Sequence, residues 1–256
     1  MTTLWDARLF ARSAAAAAFA FLVTWLVTAA TDEGGVAWAE RAARAAPLAP
    51  ACAAAGVWLV LAPVRSRGEA LALAALGQSP ARTAAGAVLG SACLAVSAAM
   101  LLGTCRRVNV AGFFPAATRA TAWVWQRGEF VEPIRGLRVN ADGAPSAFPG
   151  GAASSLGAVP AFGRLAAALS TAAAGIALPL LVAHAALSRP SDPSRSAMDR
   201  RRWRRSVATV LLLAVIALAA TIFIFQAAAA RRVPAAAGTL PPIALLAFAV
   251  RWCRAR

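Results

Sequence analysis

Long apolar stretches set between short, mostly basic connectors restrict this chain more than any other feature. They lie at 13–30, 47–64, 83–103, 165–187, 206–230 and 241–250. A helix rises about 1.5 Å per residue, so about 17–25 consecutive apolar residues cross the hydrocarbon core of a bilayer. Only 14% of the residues are charged, well below the roughly one quarter of ordinary soluble domains. The chain therefore reads as an all-α polytopic membrane protein with about six transmembrane helices in a 3+3 arrangement. Residues 1–104 hold the first three helices and a cytoplasmic loop at 65–82, residues 105–164 form a short periplasmic region, and residues 165–256 hold the last three helices. The first stretch has the charged start and apolar core of a signal peptide, but its core is longer, and it reads as a retained first helix. The sixth stretch is short for a crossing, which implies an earlier start, a tilt or local bilayer thinning.

Between the third and fourth stretches the pattern changes. Short runs at 129–131 and 137–139, bounded by Arg127-Gly128 and Asp142-Gly143, read as strands with turns between them. Residues 145–160 are rich in Gly, Ser, Ala and Pro and read as loop. The insertion is thus small and possesses some β character, too short for a large domain.

The net charge of +16 comes from arginine alone, without lysine. A nucleic-acid binder would carry its basic residues on a soluble face with interleaved aromatics; here they fall between apolar stretches, and nucleic acid is excluded as a partner. With the N-terminus inside, the cytoplasmic segments carry 15 arginines against 4 acids, and the longer outside segments carry 11 against 6. The positive-inside rule then places both termini in the cytoplasm. Arg106 and Arg107, at the outer end of the third stretch, run against that rule. Snorkelling at the interface accounts for them, and contact with an anionic lipid headgroup is the sharper alternative, shared with Arg41 and Arg44.

No residue set for bond chemistry stands out. The four cysteines form no CxxC pair, and the single histidine, His184, has no second histidine with which to build a metal site. Cys52 and Cys93 lie inside apolar stretches as small hydrophobes. There is no GxxxxGK[ST] loop, so any nucleotide is bound by another chain. Neither a nucleophile triad nor a pair of intramembrane carboxylates is present. His184 lies in the fourth stretch, where an ionisable group prompts a functional reading; a hydrogen bond to a neighbouring helix is the favoured one. The chain is read as a non-enzyme without catalytic residues, metal or cofactor.

The most informative stretch is 66–82. Leu71, Leu73 and Leu76 among alanines favour a helix, Glu69 suits its positive N-terminal end, Gly77 supplies a stop, and Ser79-Pro80 starts the next helix. One reading is an amphipathic connector lying on the membrane surface. The other is a coupling helix, a short rigid element anchored at both ends to spanning helices that docks in a groove of a partner ATPase.

The pattern Glu69, Gly77, Ser79 and Arg82, preceded by Arg65-Ser66-Arg67, resembles the cytoplasmic loop of the LptF/LptG lipopolysaccharide-export permeases. FtsX/MacB-type permeases carry a similar spacing, but they have four spans with the main external domain after the first. Three spans, an external domain and three more spans is the LptF/LptG layout. Pro47 and Pro50, Leu178-Pro179-Leu180 with Ser188-Arg189-Pro190, and Gln226 with Gly238 and Leu240-Pro241-Pro242 resemble the same family over most of the chain. The resemblance implies a permease subunit of an ABC transporter in the bacterial inner membrane that extracts lipopolysaccharide or a related lipid. Its implied partners are a cytoplasmic ABC ATPase dimer, a second LptF/LptG-like permease, the lipid and a periplasmic bridge protein. Glu69, Gly77, Ser79 and Arg82 would be the coupling residues, with Arg82 clamping the connector to lipid phosphate or to the ATPase. The family's external domain is a larger β-jellyroll, and its first helix tends to carry basic residues near the headgroup; this chain departs from it on both counts. An FtsX/MacB-like lipoprotein or peptide permease and a non-transporting membrane scaffold are the competing expectations.

Overall fold

The computed structural model describes residues 4–30, 45–105, 108, 110, 113, 124–126, 129–132, 137–139, 142–143, 145–147, 160, 162–187, 197–230 and 232–254. Seven helices run along the described chain: α1 Leu4–Ala30, α2 Ala49–Ser66, α3 Glu69–Ala75, α4 Pro80–Thr104, α5 Gly163–Leu187, α6 Ala197–Ala229 and α7 Leu240–Arg254. Short 3₁₀ turns, Ala46–Leu48 and Ala235–Thr239, lead into α2 and α7. Six segments are long and apolar enough to cross a membrane: Leu4–Ala30, Ala46–Ser66, Pro80–Thr104, Gly163–Leu187, Val207–Ala229 and Ala235–Cys253. A helix suits such a segment because hydrocarbon offers no partner to a backbone N–H or C=O. The chain is a multi-pass helical membrane protein.

Three boundaries differ from the sequence reading. The first helix starts at Leu4 rather than 13, because Arg8 and Arg12 are exposed on its surface and do not interrupt it. The sixth segment gains length from the 3₁₀ turn Ala235–Thr239, which brings it to 19 residues. Pro241 and Pro242 sit in the first turn of α7, where a missing N–H costs nothing. The basic stretch ahead of the fifth span is helical from Ala197 onward, so α6 reaches 33 residues.

α1, α2, α4 and α5 pack as a four-helix core, with α7 laid on α5, and α6 meeting mainly α7 and the turn before it. Lipid tails are as apolar as leucine, so association rests on close approach rather than on a hydrophobic drive. Small residues provide that approach. A Cβ on Gly86 or Gly90 would run into the α1 backbone at Asp6 and Phe10. One on Gly56 would lie 2.8 Å from the Ala17 Cβ, and one on Gly175 would strike Ala95. Ser91 Oγ donates to Ser13 O across the α1–α4 contact at 3.4 Å. α5 continues through Pro179 as one helix.

The contacts establish the up-and-down order. At one end, Leu9, Val64, Ala84 and Ala186 share a cluster, bringing together the start of α1, the end of α2, the start of α4 and the end of α5. At the other, Ala46, Leu102, Ala166, Phe225 and Ala235 do the same. Cys253, near the end of α7, lies 4.0 Å from Leu180 O. The helical chain therefore begins and ends on one face, the face that carries α3.

Between α4 and α5 lies a four-stranded antiparallel meander: β1 Val124–Gln126, β2 Glu129–Glu132, β3 Leu137–Val139 and β4 Pro145–Ala147. Val131 pairs with Arg138, and Arg138 Nε reaches diagonally to Glu129 Oε2 at 3.1 Å, as same-face neighbours on adjacent strands do. The turn before β4 holds Gly143 at φ +74°. Residues 145–147, read from the sequence as loop, form the edge strand β4, a position that tolerates Pro145.

Candidate functional site

The connection from α2 to α4 is built with a defined conformation at nearly every residue. α2 ends at Ser66, and Gly68 turns the chain at φ +75°, a left-handed conformation that glycine adopts without the Cβ penalty. α3 follows, with Glu69 in its first turn, where the helix dipole favours a carboxylate. Its end is a Schellman motif: Gly77 N donates to Ala74 O and Gln78 N to Leu73 O, both at 3.0 Å, with Gly77 at φ +82°. Ser79 then caps α4, its Oγ accepting from Arg82 N at 3.3 Å, with Pro80 in the first turn.

Both flanks of this connection are tied to the core. Arg65 Nη1 donates to Ala186 O at 2.6 Å, neutralising the carbonyl end of α5. Arg82 Nη2 meets Asp6 Oδ2 at 2.9 Å, joining the start of α4 to the start of α1. Glu69 is held loosely by comparison. Arg67 Nη1 lies 3.9 Å from its Oε1, and both side chains are substantially exposed; such a pair contributes little, and a second cation can replace Arg67. Leu71 and Leu76 are 61% and 80% exposed. A groove of about 310 Å³ runs beneath α3, lined by Arg65, Gly68, Ala70, Leu71, Gln78 and Pro80 among others. The surface is thus a short helix with apolar side chains outward, a half-exposed carboxylate at its start and a recess alongside.

The four residues singled out from the sequence fall together here. Glu69 opens α3, Gly77 closes it, Ser79 starts α4 and Arg82 locks α4 to α1. The resemblance has Arg82 clamping the connector to lipid phosphate or to the ATPase; within the chain its Nη2 meets Asp6 Oδ2. Arg41, Arg44, Arg106 and Arg107 lie outside the described residues.

A second recess, of about 570 Å³, opens between α4, α5 and α7 on the same side, lined by Ala84, Val88, Leu180, His184 and Cys253 among others. The His184 ring meets Trp252 of α7 edge-on, with centroids 6.2 Å apart, and Trp252 in turn leans on Phe248 at 5.4 Å. That is an interhelical packing role. All four cysteines are free thiols. Among the described residues, no group of three or more His, Cys, Asp or Glu is placed to hold a metal ion.

Sequence reasoning missed the cross-ties. Arg164, in the first turn of α5, donates to Leu102 O, Cys105 O and Val108 O at 3.2, 2.8 and 2.7 Å. One guanidinium thereby caps the end of α4 on the face opposite α3. The only signal in the sequence is an arginine at the mouth of an apolar stretch. The Gly86-x-x-x-Gly90 spacing on α4 was the readable signal for the α1 contact.

The fold defines a six-span helical membrane protein with a short interhelical helix on the face where α1 starts and α7 ends. No protein-family model, no curated protein and no solved structure matches this chain.

Proposed function

We propose that the chain is the permease subunit of an ABC transporter of the LptF/LptG kind, which extracts lipopolysaccharide or a related lipid from the bacterial inner membrane. Both termini and α3 face the cytoplasm in this reading. ATP hydrolysis belongs to a separate ATPase dimer, and a second permease chain completes the lipid path. The observation that carries the reading is α3 itself. It is anchored to α2 and α4 through two left-handed glycines and a serine cap, and it presents Leu71, Leu76 and Glu69 outward. α3 leaves α2 through the left-handed Gly68 and closes at Gly77 in a Schellman motif, and a defined exit into α4 suits a connector that transmits a push. Six spans with the insertion between the third and fourth favour LptF/LptG over the four-span FtsX/MacB arrangement.

In operation, the ATPase receives Leu76 in an apolar groove, and a basic residue of the ATPase pairs with Glu69, two turns earlier on the same side. Nucleotide-driven closure then moves α3, and the ties from Arg65 to Ala186 and from Arg82 to Asp6 pass that movement to α1, α2, α4 and α5. The meander between α4 and α5 is the element that faces a periplasmic bridge.

The test is purification of the tagged chain from its native membrane after cross-linking, with mass spectrometry of proteins and lipids. An ABC ATPase with a second six-span chain and retained lipopolysaccharide is the expected result; a preparation free of any ATPase rejects the proposal in favour of a scaffold. Glu69→Ala should then leave expression and assembly intact while export stops and ATP hydrolysis continues. Normal export by that variant sinks the assignment of Glu69.

A further inference from the structure

The basic extension of α6 has no part in the reading above, and its argument does not depend on it. The apolar segment of α6 begins at Val207, but the helix begins at Ala197. These ten added residues lengthen the helix by about 15 Å, and they include Arg200, Arg201, Arg202, Arg204 and Arg205. A helix start carries partial positive charge and favours acids, yet Asp199 is the one acid in this extension. Five arginines on that end are the wrong sign for the helix that bears them. Negative charge supplied from outside the helix offsets that mismatch.

Its position says what supplies that charge. Arg204 and Arg205 lie about 3–5 Å before the apolar segment, and Arg200 to Arg202 about 7–11 Å before it, at 1.5 Å per residue. The polar layer on each side of a bilayer is about 5–8 Å thick. The arginines therefore span the headgroup layer and its outer edge. At about 100° per residue they occupy an arc of about 200° of the helix circumference, with Asp199 and Trp203 on the remaining arc. So broad an arc suits a medium that surrounds the helix, whereas one docked polypeptide covers a narrower face.

We infer that residues 200–205 of α6 form a binding site for anionic phospholipid headgroups in the leaflet on the α3 side. Clusters of four to eight basic residues beside a spanning helix bind anionic lipid at about 1 kcal/mol each. The site concentrates such lipids around α6.

The experiment uses the full chain in nanodiscs of equal phosphatidylglycerol and phosphatidylethanolamine, with native mass spectrometry counting the lipids that remain bound. Wild-type protein retains phosphatidylglycerol in excess, and the excess shrinks as salt rises through the range that screens exposed charges. At about 1 kcal/mol per arginine, changing all five arginines to glutamine lowers the preference by well over tenfold. A control with Arg8→Gln, Arg12→Gln and Arg251→Gln, exposed arginines of the same end, keeps most of it. Melting temperatures check that both variants fold. A preference that ignores salt in the wild-type protein, survives the five substitutions, or falls equally in the control overturns the inference. So does loss of a co-purifying protein with the lipid ratio unchanged, which assigns the arginines to a polypeptide partner.

Discussion

At the scale of single residues, the fold depends on positions where a side chain is absent and on arginines that close helix ends. Gly90 faces the Phe10 carbonyl and Ser13 Oγ so closely that no Cβ fits between α1 and α4. Gly90→Val should therefore destabilise the protein by about 2–3 kcal/mol, seen as a lowered melting temperature in detergent; an unchanged value would mean that α1 does not seat on α4 as described. The arginine ties differ in weight. Arg82 and Asp6 are 50% and 13% exposed, and their pair should couple by less than about 1 kcal/mol in a double-mutant cycle with Arg82→Gln and Asp6→Asn. Arg164→Gln withdraws a donor from three carbonyls at once and should cost about 1–3 kcal/mol. Its melting temperature should fall further than that of Arg82→Gln. These roles were only partly legible in advance. The Gly86-x-x-x-Gly90 spacing marks a face for close approach, but Gly90, Arg164 and Arg82 act on residues of other helices, and no spacing encodes which helix will lie beside which.

Among the elements, α3 was the most legible. Its leucines, the stop at Gly77 and the Ser79-Pro80 start are local signals, and local hydrogen bonds form on them. Gly77→Ala should cost about 1–2 kcal/mol, since its φ of +82° is a region that a Cβ penalises. Gly77→Asn should cost less, because asparagine tolerates that region. Hydrogen exchange at the amides of 69–78 reads the effect directly, with faster exchange expected for alanine than for asparagine. The extension of α6 was illegible for the opposite reason. Charge density suggested a connector, yet arginine is a good helix former, and a spanning helix already nucleated at Val207 can propagate back through it. β4 was hidden because three residues beginning with proline carry no strand pattern of their own; their partner β3 defines them.

For the whole molecule, the alternation of six segments places the start of α1 and the end of α7 on one face. Tags at the two termini should be accessible together to a membrane-impermeant protease in sealed vesicles of one orientation, and protected together in vesicles of the other; one tag on each side would break the six-span order. The layout of spans and insertion was readable from apolar length alone, because hydrocarbon thickness dictates it. The cross-ties carry a mechanical consequence. With α1, α2, α4 and α5 bound to one another at the α3 end, and α4 to α5 again at the far end, the bundle is stiff along its axis. α4 is 25 residues long, about 37 Å. A tilt of the block by about 5° about its α3 end would swing the opposite end through about 3 Å. The chain leaves α4 for the meander, and returns from it into α5, at that opposite end, where Arg164 caps α4. A displacement of the block too small to notice at its base therefore arrives enlarged at the Arg164 cap, where α4 is bound to α5.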